Sequence, residues 1–241
     1  MLDAEARERV IVALDCDREE ALSLADALSG HAKWLKVGMT LYYAEGPSIV
    51  REFKERGFKV FLDLKIHDIP HQVRGAARSA AGAGADLLSV HGLGAGAMLK
   101  AAREGAEEAA EATGAERAKL VAITVLTSMD EAAMEQIGLT CSITDEAARL
   151  AALAKGSGID GIVCSPREAA EMRELLGPDA LIVTPGVRPA GADLGDQSRV
   201  ATPAAAISAG ASHLVIGRPI TGAQDPVAAY EAIVEELVRD A

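Results

Sequence analysis

The chain has 241 residues, 49% of them hydrophobic, and its 36 acidic and 24 basic side chains leave a net charge of −12. That is enough for one large core, as a single α/β barrel or as two ordinary domains, and the negative balance argues against general nucleic-acid binding, whose footprint is a basic stripe. No apolar run approaches the roughly 20 residues of a membrane span, and the charged start MLDAEARERV carries no apolar signal segment, so a cytoplasmic protein is expected.

One theme repeats along the chain: a short β-branched run, a small turn, then an Ala-rich helical stretch. Strands are predicted at 10–15, 34–39, 60–65, 86–91, 120–127, 161–165, 181–186 and 213–217. Helices are predicted between and after them, at 19–28, 72–83, 97–113, 145–155, 167–176 and 226–238. Short, near-continuously apolar strands joined by helices imply parallel pairing with both faces covered. Eight such units point to a closed (β/α)8 TIM barrel, eight parallel strands with outer helices. A doubly wound open sheet is the runner-up, but the first strand runs into ALDCDREEA, which is no dinucleotide fingerprint. No linker or charge block divides the chain, so a single catalytic domain over 1–241 is expected. The segment GVRPAGADLGDQSRVATP, 186–203, exceeds the roughly 12–15 residues of an ordinary unstructured loop, and its composition suits a mobile flap.

Cys16, Cys141 and Cys164 are odd in number and far apart, which suits a reducing compartment and reads as packing rather than a disulfide or zinc framework. The five histidines lack metal-ligand spacing. His67 and His71 are four apart, but Pro70 lies between them where the chain leaves a strand. His91, ending the fourth strand, reads as hydrogen-bonded scaffold.

In a barrel, active-site residues come from the C-terminal ends of the strands. Here Asp15 ends the first strand, Lys36 lies in the second, Asp63 and Lys65 end the third and Thr127 ends the fifth. Arg188 follows the seventh strand and Arg218 the eighth. Strand alternation puts Phe61, Asp63 and Lys65 on one face of FLDLKIHDIP and Val60, Leu62 and Leu64 on the other. An Asp–Lys pair on a strand could be purely structural. Burying two further charges beside it would be costly, because desolvation can exceed the Coulombic gain, so a functional cluster is the better reading. Gly217 allows close backbone approach, and Arg218 adds a planar cationic fork. Arg188 and Gln197 on the long loop could close over the same anion, since barrels often bind phosphate after strands 7 and 8.

These residues carry a family likeness. DLKIHDIP resembles the signature of the orotidine 5′-monophosphate decarboxylases. The likeness extends through VALD at 12–15, KVG at 36–38, VLTS at 125–128, TPGVRP at 184–189, GDQ at 195–197 and IGRPI at 216–220. The resemblance implies that Lys65 donates the proton that replaces the carboxylate at C6 of the pyrimidine, with Asp63 beside that carboxylate and Lys36 and Asp68 completing an alternating charge network. It implies a homodimer, because the second acid of the motif, Asp68, reaches the neighbouring subunit's site. Asp15 and Lys36 would contact ribose hydroxyls, and Thr127 would hold the pyrimidine. Arg188, Gln197, Gly217 and Arg218 would grip the phosphate, and Ile69, Gln72 and Pro185 complete the substrate contacts. Many members have Asn-Thr or Thr-Thr after DIP, where this chain has His71-Gln72; the Gln72 amide can still bond a ribose hydroxyl.

Loss of CO2 from C6 leaves an electron pair in the ring plane, where conjugation cannot spread it. Most decarboxylases supply a cofactor as electron sink, and this sequence shows no motif for one. A fixed cation in a site closed to water is the remaining device. A cofactor-free decarboxylase making UMP is therefore expected. The alternatives are a metal-dependent sugar-phosphate lyase of the same superfamily and a non-catalytic nucleotide-binding barrel.

Overall fold

The computed structural model describes residues 1–189 and 201–241. Its eight strands are β1 (Val10–Leu14), β2 (Trp34–Gly38), β3 (Lys59–Ile66), β4 (Leu87–His91), β5 (Lys119–Ile123), β6 (Gly161–Val163), β7 (Leu181–Pro185) and β8 (His213–Ile216). They pair in sequence order, all parallel, and β8 closes on β1 through Val10 opposite Leu214. The closed (β/α)8 barrel expected from the sequence is present.

Helix α1 (Asp3–Arg9) leads into β1, and α2 (Arg18–Leu28) follows it. After β2 come α3 (Met39–Glu45) and α4 (Ser48–Glu55), then α5 (Pro70–Gly82) after β3 and α6 (Ala95–Thr113) after β4. The β5–β6 connection holds α7 (Glu131–Gln136) and α8 (Ile143–Gly156), and α9 (Ala169–Leu176) follows β6. Helix α10 (Pro203–Ser208) precedes β8, and α11 (Arg218–Thr221) and α12 (Pro226–Asp240) follow it. Among the described residues no helix is long and apolar enough to cross a membrane.

Local chemistry explains the helix starts. Asp17, Ser142 and Asp225 cap α2, α8 and α12 by accepting from Glu20, Asp145 and Ala228 backbone N–H groups at 3.0, 3.1 and 3.0 Å. Pro70 is the first residue of α5, where its fixed φ suits a helix and its missing N–H costs nothing. Gly105 lets α6 approach α5 closely, since a Cβ there would lie 2.2 Å from the Arg74 carbonyl oxygen.

Strand alternation divides the apolar residues into two layers. Ile11, Ala13, Trp34, Phe61, Leu87, Val121, Val183 and Val215 fill the barrel interior. Their neighbours Val12, Leu35, Leu62, Leu88, Leu120, Ile182 and Leu214 face outward onto Leu28, Phe53, Val73, Leu99 and Leu237 of the helices. Phe61 and Leu62 thus take opposite faces, as expected.

Two expectations need correcting. The fifth strand ends at Ile123, not Thr127. The backbone N–H and hydroxyl of Thr124 both donate to the Val163 carbonyl, at 3.2 and 2.9 Å, and the chain leaves the sheet there. The β-branched run beyond it looked like strand but is loop. Cys141 is exposed, with its Sγ 3.6 Å from Glu146 Oε2, so packing describes Cys164 and not Cys141. Of the 186–203 segment, residues 190–200 with Gln197 lie outside the described residues. Its ends meet where Arg188 N–H donates to the Ala201 carbonyl at 3.0 Å.

Candidate active site

One step of two residues along each strand from the interior layer reaches the barrel mouth. Ala13 leads to Asp15, Trp34 to Lys36, Phe61 to Asp63, Val183 to Pro185 and Val215 to Gly217, while the same step from Leu87 gives Ser89, buried and outside the cavity lining. The period of two that packs the interior thus delivers a ring of mainly polar or small residues at the C-terminal ends. Above it opens a cavity of about 710 Å³, within the range of small-molecule sites. Asp15, Lys36, Asp63, Lys65, Thr127, Pro185, Arg188, Gly217 and Arg218 line it, with Gly38, Val125 and Leu126.

The charges form a row of alternating sign. Lys36 Nζ lies 2.8 Å from Asp15 Oδ1 and 3.6 Å from Asp63 Oδ2, and Lys65 Nζ lies 2.9 Å from that same Asp63 oxygen. Lys36 and Asp63 are buried, while the Lys65 side chain keeps 30% of its surface open. Burial by itself would raise the Asp63 carboxyl. The ammonium groups of Lys36 and Lys65, with hydrogen bonds from Lys65 and Ser89, outweigh it and hold the carboxyl below its ordinary value. Asp63 is therefore an anion at neutral pH. Gly38 makes room for the row: a Cβ there would meet Asp15 Oδ1 at 2.9 Å and Lys36 Nζ at 3.2 Å.

The backbone under Lys65 is unusual. Pairing of β3 with β4 runs in step to Leu62 opposite Leu88, then resumes with Ile66 opposite Val90. Four residues of β3 therefore span two of β4, and Lys65 adopts φ 51°, the left-handed region that costs a side-chain-bearing residue. Such bulges re-aim side chains next to active sites.

Other expected positions fall elsewhere. Asp68, Ile69 and Gln72 are exposed on the loop after β3 and the first turn of α5, outside the cavity lining. The Asp68 carboxylate accepts the Ile69 N–H at 2.6 Å. His91 accepts the Leu93 N–H at 3.4 Å and stacks on His67 with ring centroids 5.2 Å apart. Burial, together with His67 and Lys65, pushes His91 down to about 4, so it is neutral near pH 7. Cys16 lines the cavity, but burial and nearby acids raise its thiol to about 11, which keeps it unreactive. Among the described residues no group of three or more His, Cys, Asp or Glu is placed to hold a metal ion. Sequence reasoning missed Gly38 and Ser89; the signal for Ser89 was a hydroxyl two residues after an inward-facing leucine.

A closed parallel barrel whose mouth holds a cavity and a row of alternating charges, buried at Lys36 and Asp63, defines a (β/α)8-barrel enzyme. Comparison with known proteins makes the class specific. Residues 8–233 match the Orotidine 5′-phosphate decarboxylase / HUMPS family, and the chain belongs to that family. It is 53% identical over 230 residues to the orotidine 5′-phosphate decarboxylase of Halorhodospira halophila, covering 95% of each chain. It is 50% identical over 239 residues to that of Moorella thermoacetica, covering 98% of this chain and 95% of the relative. The crystal structure of orotidine 5′-phosphate decarboxylase from Lactobacillus acidophilus superimposes with a TM-score of 0.85 at 40% identity, covering 95% of this chain and 99% of that one. The chain is accordingly a carboxy-lyase.

Proposed function

We propose that this enzyme converts orotidine 5′-phosphate to UMP and CO2 in de novo pyrimidine synthesis, without a cofactor, and that Lys65 protonates C6. The observation that carries the reading is the row Asp15–Lys36–Asp63–Lys65, with the partly open Lys65 ammonium held 2.9 Å from Asp63 at the cavity floor. As the bond from C6 to the carboxylate breaks, CO2 departs and its electron pair stays on C6. The Lys65 ammonium stabilises that charge and transfers a proton to it; the neutral amine then regains a proton from solvent. Fixed charges in a water-poor site need no reorganisation as the new charge develops, and this is their advantage over water.

The remaining roles are those that the family likeness implies. Asp15 and Lys36 take the ribose hydroxyls and Thr127 and Pro185 flank the pyrimidine. Arg188 and Arg218, with Gly217 and Gln197, hold the phosphate, whose binding energy serves the reaction only if it is expressed in the transition state. Asp68, Ile69 and Gln72 are exposed and lie outside their own cavity. That supports a homodimer in which these residues, Asp68 above all, complete the site of a second copy.

The test is an ultraviolet assay of purified protein with orotidine 5′-phosphate, in EDTA and without added cofactor. Loss of the orotate absorbance with UMP formation is expected. A folded protein that leaves the chromophore untouched would overturn the reading, and activity only on restoring a divalent cation would move it to a metal-dependent lyase.

A further inference from the structure

We infer that Ser89 is a positioning residue for the decarboxylation: its single buried hydroxyl fixes both Asp63 and Lys65 in their working geometry. The inference rests on the function proposed above and concerns a residue that does not reach the cavity. Ser89 is fully buried on β4 and absent from the cavity lining. It occupies the shift in β3–β4 register, between Leu88 and Val90.

Its oxygen makes two contacts. The hydroxyl donates to Asp63 Oδ1 at 2.8 Å and accepts the Lys65 backbone N–H at 2.9 Å. A hydroxyl has one proton to give and lone pairs to accept with. Because a carboxylate cannot donate and an amide N–H cannot accept, the direction of both bonds is settled. The first bond occupies Oδ1, so Oδ2 alone is turned toward the ammonium groups, Lys65 at 2.9 Å and Lys36 at 3.6 Å. The second holds the Lys65 amide at the register shift and supports the strained φ of 51° there.

One atom thus ties the anion and the cation of the reaction centre to the same strand. The titratable groups around them are Lys36 on β2, with Asp15 behind it, Lys65 on β3 itself, and the neutral His91 farther along β4, near Lys65. None of these can substitute for a donor to Oδ1 and an acceptor for Lys65 N–H together. Alanine at position 89 would leave that N–H without its partner and free the carboxylate to rotate. Valine would fill similar space with no polar atom. Threonine would keep the hydroxyl.

The experiment compares Ser89→Ala, Ser89→Val and Ser89→Thr with the parent for kcat, KM, UMP affinity and hydrogen exchange at the Lys65 amide. Misplacing reacting groups by about an ångström can cost on the order of a hundredfold. For Ser89→Ala, kcat is expected to fall by about ten- to a hundredfold, with KM and UMP affinity within about threefold, because the phosphate grip is untouched. Lys65 amide exchange should accelerate, Ser89→Val should behave like Ser89→Ala, and Ser89→Thr should recover most of kcat and of the amide protection. A kcat for Ser89→Ala within twofold of the parent overturns the inference. So does a loss that appears equally in KM or in the folded fraction, or one that threonine fails to recover while folding normally. Hydrogen exchange does not depend on turnover. If the parent does not decarboxylate orotidine 5′-phosphate, the functional reading fails, while the exchange data still decide whether Ser89 holds Lys65.

Discussion

The two ends of the barrel use similar side chains for opposite purposes. At the N-terminal end charges pair and close the structure. Glu8 Oε2 accepts from Lys59 at 2.8 Å and from the Trp34 indole at 3.2 Å, and Trp34 meets His213 edge-on at 5.7 Å. Nearby, Arg7 grips Glu231 through two bonds of 2.8 and 2.7 Å, and His31 adds a third at 2.6 Å, joining α1, α12 and the turn after α2. At the C-terminal end Asp15, Lys36, Asp63 and Lys65 alternate along the edge of an open cavity. A carboxylate shared by two ammonium groups beside empty space is not a packing solution. It is an electrostatic field set up for something that enters.

This contrast predicts that substitutions at the mouth change turnover or affinity and those at the base change stability. The largest effect is expected for Lys65→Ala, which removes both the cation and the proposed proton donor. Turnover should fall by at least about 10⁴-fold while UMP still binds; near-normal turnover would eliminate Lys65 as the donor. Arg218→Ala should weaken UMP binding by roughly ten- to a hundredfold, the worth of one charge-assisted bond, and leave uridine affinity alone. Titration of both ligands reads this out, and equal UMP affinity in the two proteins would put the phosphate elsewhere. Gly38→Ala should lower kcat/KM by about tenfold by pushing Asp15 off Lys36, with no loss of Tm beyond a degree or two; unchanged kinetics would show that the Asp15–Lys36 contact is dispensable.

The smallest effect on activity, none at neutral pH, is expected for Glu231→Gln at the base. Stability should drop by about 1–2 kcal/mol, a fall in Tm of roughly 2–8 °C. The bonds from Arg7, against the opposing push of burial and with help from His31, lower the Glu231 carboxyl from 4.5 to about 2. A depressed carboxyl contributes its full stability above the unfolded value and loses it as pH falls through the folded one. The parent should therefore lose this contribution between pH 4.5 and about 2, and the glutamine variant should show a shallower acid limb in Tm. A base-end variant that reduced kcat at pH 7 would break the division between the two ends.

Much of the mouth was legible in the sequence because a strand's period of two is a local property. FLDLKI already put Phe61 with Asp63, and the apolar reverse face with the helices. The family motif added the likeness of the other positions. The bulge was hidden, because a register shift depends on what β4 offers to β3 and not on either strand alone. The extent of β5 was misread for a similar reason. VAITVLT is rich in β-branched residues, but Thr124 found its partner on β6 and the chain turned. Asp68, Ile69 and Gln72 were legible as residue types, but not as lying outside their own cavity.

By itself the sequence determined the eight strand–helix units, their parallel barrel closure, the residues facing inward and the acid–base pair at the end of β3. These follow from periodicity, helix caps and residue type, all of which act over a few positions. Only the tertiary structure decided that Lys65 takes a left-handed backbone, that Asp63 remains an anion although buried, and that Ser89 holds the two together. Each of these depends on groups from different strands brought within hydrogen-bond distance, and no local pattern specifies those distances.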